Sequence, residues 1–205
     1  MSNWNAGIAD KVQRRGSIRL KDYDYSQSGA YSIIICTQDR ACLFGEIADA
    51  NTQCNAAGQM ATSEWLALPE RFPTARLDEF VIMPNHIHGI LWINRATVGA
   101  GLVPAHPPTI GDIVGAFKSL TTVAYIRGIK TSGWPTFRGQ LWQRNYYEHI
   151  IRDDEDLNQI RQYIINNPAQ WAMDRENPMN AETANNAGVG AGLVPALIKE
   201  KNYDK

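Results

Sequence analysis

Two histidines separated by one residue are the first side chains in this sequence that could do chemistry. They lie in the segment MPNHIHG, as His86 and His88. Residues two apart in a β-strand project from the same face, so the two imidazoles would stand side by side, with Ile87 and Gly89 behind them. Neighbouring imidazoles can bind a divalent metal ion together. The same spacing also occurs by coincidence, so the pair alone leaves both interpretations open.

A tyrosine and an asparagine one helical turn apart form a second candidate. Tyr163 and Asn167 lie in RQYIINNP at positions i and i+4, which are neighbours on one face of a helix. Leu157, Ile160 and Ile164 would form an adjacent apolar stripe that holds this helix to a sheet, with the tyrosine hydroxyl free to reach outward. The alternative is a tyrosine at the edge of the core, followed by an asparagine that only ends the helix.

The elements that must position these residues follow from the hydrophobic pattern. Short β-branched runs between turn residues predict strands, and apolar residues three or four apart predict helices. Negative charge at Asp153–Asp156 favours a helix start, and Pro168 disfavours helical geometry in the residue before it. The predicted strands are Ala30–Cys36, Leu43–Ile47, Leu77–Met83, His86–Asn94 and Gln140–Ile150, and the predicted helices are Asn55–Leu68, Gly111–Ile126 and a last one that ends at Asn167.

The order of the main elements is strand, helix, strand, strand, helix, strand, followed by one further helix. This order predicts the α+β class, as a ferredoxin-like βαββαβ antiparallel sheet with helices on one face and an added C-terminal helix. Polar composition predicts a flexible N-terminus at 1–16, one domain at 17–173 and a flexible tail at 174–205. The octapeptide VGAGLVPA occurs at 98–105 and again at 189–196, and two such short copies cannot stack as a solenoid.

Composition limits the class of protein further. The chain has 205 residues, 44% of them hydrophobic and 20% charged, which excludes wholesale disorder. The formal net charge of −1 excludes a strongly basic surface but leaves room for a local basic patch. No apolar run reaches the roughly 18 residues of a membrane span, and the N-terminus lacks the apolar core of a secretory signal. Three cysteines without C-x-x-C spacing predict reduced thiols in a cytoplasmic protein, not disulfides or a zinc site.

Four ordered blocks of the chain together resemble REP-associated tyrosine transposases, of the single-tyrosine HUH transposase superfamily. The blocks are RRGSIRLKDYDYSQSGAYSIIICTQDR, LDEFVIMPNHIHGILWI, GAFKSLT and LWQRNYYEHIIRDDEDLNQIRQYIINNP, and they extend from about Arg15 to Trp171. The resemblance implies that His86, His88 and Asn167 bind Mg²⁺ or Mn²⁺, and that Tyr163 is the nucleophile. It further implies a transposase or endonuclease that binds single-stranded hairpin DNA of the REP type and cleaves and rejoins it through a 5′-phosphotyrosine.

This chemistry is consistent with the residues present. A phenol hydroxyl has a reference pKa of about 10 and needs a nearby cation or base before it can attack. A phosphotyrosine conserves the energy of the broken linkage, so rejoining needs no ATP, and the sequence contains no Walker loop. The resemblance implies a protein that does not bind membranes and acts as a monomer, with a homodimer as the alternative.

Basic and aromatic residues outside this set are candidates for DNA contacts. Arginine and lysine would hold phosphates, and tyrosines would stack on unpaired bases. The alternative is that these residues are ordinary solvated surface charges. The candidates in the N-terminal arm are Arg14, Arg15, Arg19, Lys21, Tyr23 and Tyr25, and those that could line a hairpin stem are Lys118, Arg144 and Arg152.

Other interpretations of the same motifs stay open. Tyr146 and Tyr147 are rival nucleophiles because they also lie close in sequence to the last helix, although neither has an amide partner at i+4. A histidine-triad phosphoesterase acting on nucleotides would need a further histidine where Gly89-Ile90 stands. A hairpin-binding protein that has lost catalysis would keep the same fold.

Overall fold

The computed structural model describes residues 27–94 and 108–180, and the structural statements below concern these two ranges. They contain six strands and four α-helices. The strands are β1 (Gly29–Cys36), β2 (Gly45–Ala48), β3 (Asn51–Cys54), β4 (Ala75–Ile82), β5 (His86–Ile93) and β6 (Tyr147–Ile151), and the helices are α1 (Ala56–Leu66), α2 (Leu68–Arg71), α3 (Ile110–Ser132) and α4 (Asp154–Asn166).

Four of the strands form one antiparallel sheet in the order β4-β5-β1-β6. Strand β1 pairs with β5 from Gly29 opposite Ile93 to Cys36 opposite His86. Counting only these four strands, the first lies between the third and the fourth, which is the order of a ferredoxin-like βαββαβ sheet. The predicted fold class is therefore confirmed. The remaining two strands, β2 and β3, form a separate hairpin.

One face of the sheet carries the main core. Residues of β1 and β5 on this face, such as Ile35 and Leu91, pack with buried residues of α1 and α3. Gly89 of β5 also points to this face, where a Cβ atom would lie 2.4 Å from the ring of Trp65. Only a residue without a side chain lets the fully buried indole of Trp65 lie against the strand.

The opposite face of the sheet holds α4. Leu157, Ile160 and Ile164 are buried against a second cluster that includes Ile90 of β5. The apolar stripe predicted for this helix therefore packs on the sheet as expected. Residues on β5 alternate between the two faces. His86 and His88 consequently lie on the same side of the sheet as α4. Ile87 and Gly89 point to the opposite side, toward α1 and α3.

Two predicted boundaries differ from the structure for identifiable reasons. The strand predicted at Gln140–Ile150 is regular only from Tyr147, because its first part pairs with the sheet only through an isolated bridge between Trp142 and Thr37, just beyond the end of β1. The ammonium group of Lys118 donates to main-chain oxygens of residues 143–145 and holds this segment in an irregular path. The helix predicted at Gly111–Ile126 continues to Ser132 and ends at Gly133, whose φ of 66° is the left-handed conformation typical of a helix end.

The chain after α4 also packs further than composition indicates. Pro168–Met173 forms a 3₁₀ helix, and Glu176 and Asn177 in the following segment are buried. The flexible tail was predicted to begin at Asp174, but the chain stays packed beyond that residue. Composition missed this because the few buried residues lie in a segment rich in asparagine and alanine. Residues 1–26, 95–107 and 181–205, which include both VGAGLVPA segments and the N-terminal arm, lie outside the described residues.

None of the helices in the described ranges has the length and apolar character that crossing a membrane requires.

Candidate active site

The two histidines of β5 bring their ring nitrogens together on the α4 side of the sheet. The Nε2 atoms of His86 and His88 lie 2.9 Å apart, and the rings are perpendicular to each other. Both side chains are buried. Burial lowers the pKa of His86 well below its ordinary value and that of His88 to about 3, so both rings are neutral at physiological pH. Neutral rings offer nitrogen lone pairs, which is what metal binding requires.

The buried side chain of Asn85 sets the orientation of His86. Its amide nitrogen donates to the main-chain oxygens of Arg40 at 2.9 Å and of Glu176 at 2.7 Å. Its oxygen therefore faces Nδ1 of His86, 2.8 Å away. Since this oxygen can only accept, Nδ1 of His86 carries the proton and Nε2 is left with its lone pair pointing into the site.

A carboxylate that the sequence did not suggest completes the group. Oδ2 of Asp174 lies 3.6 Å from Nε2 of His86, and the ligand atoms of His86, His88 and Asp174 all lie within 4.8 Å of one another. The 3₁₀ helix after α4 turns the chain back and places Asp174 there, while the ring of Trp171 lies 6.0 Å from that of His86. The sequence feature that could have indicated this ligand is an acidic residue seven positions after Asn167. It lies in a segment whose composition predicted a flexible tail.

Asn167 supplies a second oxygen at the same place. Asn167 caps α4 directly after Asn166 and is 2% exposed, and its side chain lies close enough to His86 to raise the pKa of that ring by hydrogen bonding. Its Oδ1 has no hydrogen-bond partner in the described part of the chain. A buried carbonyl oxygen without a donor is costly unless something positive contacts it. Two neutral imidazoles, a carboxylate and this oxygen form a mixed nitrogen and oxygen set that fits a divalent cation.

Tyr163 lies on α4 directly beside the histidines. Its ring is 5.3 Å from that of His88 and perpendicular to it. Burial, together with the negative charge of Asp174, raises the pKa of Tyr163 to about 12, and a hydrogen bond with the Asn167 side chain acts in the opposite direction. The hydroxyl is therefore protonated in the protein alone, and only added positive charge would favour its ionised form.

The two rival tyrosines lie further from the histidines. Ile34 pairs with His88 on one side and with Tyr147 on the other, which places Tyr147 on the same face but two strands, or about 10 Å, away. Its hydroxyl accepts a hydrogen bond from Arg175. The ring of Tyr146 lies under the ammonium group of Lys118, at 5.5 Å.

Three of the residues predicted to contact DNA lie within the described ranges. Lys118 belongs to α3, on the opposite face of the sheet, and its ammonium group is engaged by main-chain oxygens. Arg144 and Arg152 are exposed at the two ends of the β6 region. The remaining predicted contacts, Arg14, Arg15, Arg19, Lys21, Tyr23 and Tyr25, fall outside the described residues.

Comparison with known proteins gives a relative in sequence and relatives in fold. No family model matches the chain. A protein of Haemophilus influenzae described as uncharacterized is 40% identical over 188 residues, covering 85% of this chain and 97% of that protein. A solved structure of a REP-associated tyrosine transposase bound to a REP hairpin matches with a TM-score of 0.52 and 18% identity, over 75% of this chain and 74% of that one. The resemblance seen in the sequence is thus confirmed in the fold. The chain belongs to one family with the Haemophilus influenzae protein and has the fold of a REP-associated tyrosine transposase.

Proposed function

We propose that this protein is a metal-dependent DNA transposase or endonuclease that binds single-stranded REP-type hairpin DNA and cleaves and rejoins it through Tyr163. The observation that carries the proposal is the convergence of His86, His88, Asp174 and the unpartnered oxygen of Asn167 beside the Tyr163 ring. A likeness in fold to a transposase that was solved with a REP hairpin supports the choice of substrate.

The four converging side chains are proposed as the ligands of Mg²⁺ or Mn²⁺. A divalent cation bound there would polarise the scissile phosphate and offset the negative charge that develops on its oxygens. Asn85 keeps Nδ1 of His86 protonated and so directs the free lone pair of Nε2 toward the ligand position. Burial keeps both histidines neutral, and a metal ion bound between them would replace the hydrogen bond that Nε2 of His88 donates to Nε2 of His86, with the His88 proton moving to its Nδ1.

Tyr163 is proposed as the nucleophile. Its hydroxyl oxygen forms a bond to phosphorus and gives up its proton, while the bond from phosphorus to the 3′ oxygen breaks and that oxygen takes up a proton. The products are a 5′-phosphotyrosine and a free 3′-hydroxyl. Attack by a 3′-hydroxyl on the phosphotyrosine reverses the step and joins two strands without an external energy source.

The phosphoesterase alternative fits the structure less well. A histidine triad needs a third imidazole in the same motif, whereas Gly89-Ile90 stands there, and the side chain of Ile90 is buried against α4. A binding protein without catalysis would have no need for a buried donor set beside a tyrosine. We propose a cytoplasmic monomer, with the N-terminal arm as a contact for DNA phosphates and unpaired bases.

The test is a covalent adduct between the protein and a labelled single-stranded hairpin oligonucleotide, detected on a denaturing gel. We expect an adduct with Mg²⁺ or Mn²⁺ and none with EDTA. Tyr163→Phe should bind the oligonucleotide but form no adduct, and Tyr147→Phe is the matched control that should still react. Binding without any adduct would favour the silent hairpin-binding protein, and hydrolysis of free nucleotides without an adduct would favour the phosphoesterase.

A further inference from the structure

An open surface cavity lies along the solvent side of α4 and includes Tyr163 in its wall. Its volume is about 890 Å³. Apart from Tyr163, its wall consists of carboxamides and two carboxylates. The lining residues are Asp154, Glu155, Asn158, Gln159, Gln162, Tyr163, Asn166 and Gln170.

The carboxamides form a regular row rather than a scattered set. Asn158, Gln162, Asn166 and Gln170 follow one another at intervals of four residues, which places them along one side of the helix and its 3₁₀ extension. All four residues are exposed. Asn158 accepts a hydrogen bond from Arg161, whereas the side chains of the other three make no hydrogen bond within the described residues. Their donors and acceptors are therefore available to a ligand.

The side chains of this wall favour contact with the bases of a nucleic acid over contact with its phosphates. The lining contains no lysine or arginine, and Asp154 and Glu155 add negative charge. Such a surface repels phosphate groups. Carboxamides, in contrast, donate and accept at once and form paired hydrogen bonds with the edges of bases, and carboxylates accept from base amino groups.

We propose that this cavity binds the unpaired nucleobases next to the scissile phosphate and reads their identity through Gln162, Asn166 and Gln170. The inference rests on the proposed function, because a phosphate held at Tyr163 brings its neighbouring nucleotides to the wall that Tyr163 shares. Base edges in single-stranded DNA are free of pairing partners and accessible to such side chains. The cavity would thus determine the cleavage sequence, separately from recognition of the hairpin.

The test measures base preference with and without chemistry. Hairpin oligonucleotides that carry each of the four bases at the two positions on either side of the expected cleavage point are compared, first for binding in EDTA and then for the rate of adduct formation with Mn²⁺. We expect the wild type to discriminate about 5- to 100-fold at one or more positions, as for a paired carboxamide contact. Asn166→Ala and Gln162→Ala should each reduce that preference to about twofold or less.

The matched control is Gln59→Ala, an exposed carboxamide on α1, which should keep the wild-type preference. Discrimination that survives in Gln162→Ala, in Asn166→Ala and in the double variant would overturn the inference, as would a wild type that shows no preference at any position. Neither result affects the proposed function, which fails separately if the wild type forms no adduct with any of the oligonucleotides.

Discussion

Replacing Asp78 by asparagine removes the negative charge that holds α4 to the edge of the sheet. The two oxygens of Asp78 accept from Nε of Arg161 at 2.7 Å and from Nη2 at 2.6 Å, and the indole of Trp92 donates to the same carboxylate at 2.9 Å. Asp78 lies on β4 and Arg161 on α4, two residues before Tyr163. This pair therefore contributes to the position of the helix that bears the proposed nucleophile.

The structure sets the size of the expected effect. A hydrogen bond to a charged group contributes about 1.5–3 kcal/mol, whereas an exposed ion pair contributes about 1 kcal/mol or less. The side chain of Asp78 is 11% exposed and that of Arg161 is 34% exposed, so a value between these limits applies. We expect Asp78→Asn to lower the free energy of unfolding by about 2 kcal/mol, or the melting temperature by roughly 4–8 °C for a chain of this length.

The stability difference between the wild type and Asp78→Asn should depend on pH in a defined direction. Hydrogen bonds from Arg161 hold the pKa of Asp78 well below its usual range, against an unfolded-state value of about 3.9. A depressed folded-state pKa contributes stability that is present above the unfolded pKa and is lost as the pH falls through the folded pKa. The difference between wild type and Asp78→Asn should therefore be constant from about pH 5 to pH 8 and should shrink in acid.

Chemical denaturation of both proteins across this pH range measures the effect, with Glu79→Gln as the matched control. Glu79 is the exposed neighbour of Asp78, and its neutralisation should change stability by about 0.5 kcal/mol or less. Equal losses in the two variants, or a difference that stays the same down to pH 2, would refute the reasoning.

The remaining predictions concern β5 and its surroundings. Gly89→Ala would bring a methyl group against the buried ring of Trp65 and should lower the free energy of unfolding by about 1–3 kcal/mol, measured by denaturation in urea. Asn85→Ala removes the acceptor for His86 and should weaken Mn²⁺ binding about 10- to 100-fold by calorimetry; an unchanged affinity would show that Asn85 does not position the ring. Saturating Mn²⁺, at about 100 times its dissociation constant, should stabilise the wild type by about 2.7 kcal/mol and leave the melting temperature of His86→Ala unchanged. Full cleavage activity in His86→Ala would refute its role as a ligand.

Much of this fold can be predicted from sequence because its signals are local. Two such signals are the alternation of side chains between the two faces of the histidine-bearing strand and the apolar stripe of α4. Each depends on residues a few positions apart, and the structure shows both as expected. The juxtaposition of Tyr163 with His88 was implied only by the resemblance to a known family, because neither pattern alone relates the two segments in space. The resemblance to a known family supplied the roles of these residues.

The features that sequence did not predict depend on contacts between distant segments. Asp174 reaches His86 only because a 3₁₀ helix turns the chain back across the sheet. Asn85, which its neighbour Pro84 marks as a turn residue, is held by oxygens of Arg40 and Glu176, which are 45 and 91 residues away in sequence. Leu141 and Trp142 have a strand-like pattern, but the segment meets the sheet only at the isolated bridge between Trp142 and Thr37, and both side chains are buried in the core.

We propose that His86, His88 and the oxygens of Asp174 and Asn167 hold one divalent ion beside the Tyr163 hydroxyl. Anomalous diffraction from crystals grown with Mn²⁺ would locate that ion. We expect a single strong peak within bonding distance of Nε2 of both histidines, on the side of the sheet that faces α4. A peak bound by other residues, or two histidines still hydrogen-bonded to each other in saturating Mn²⁺, would contradict it.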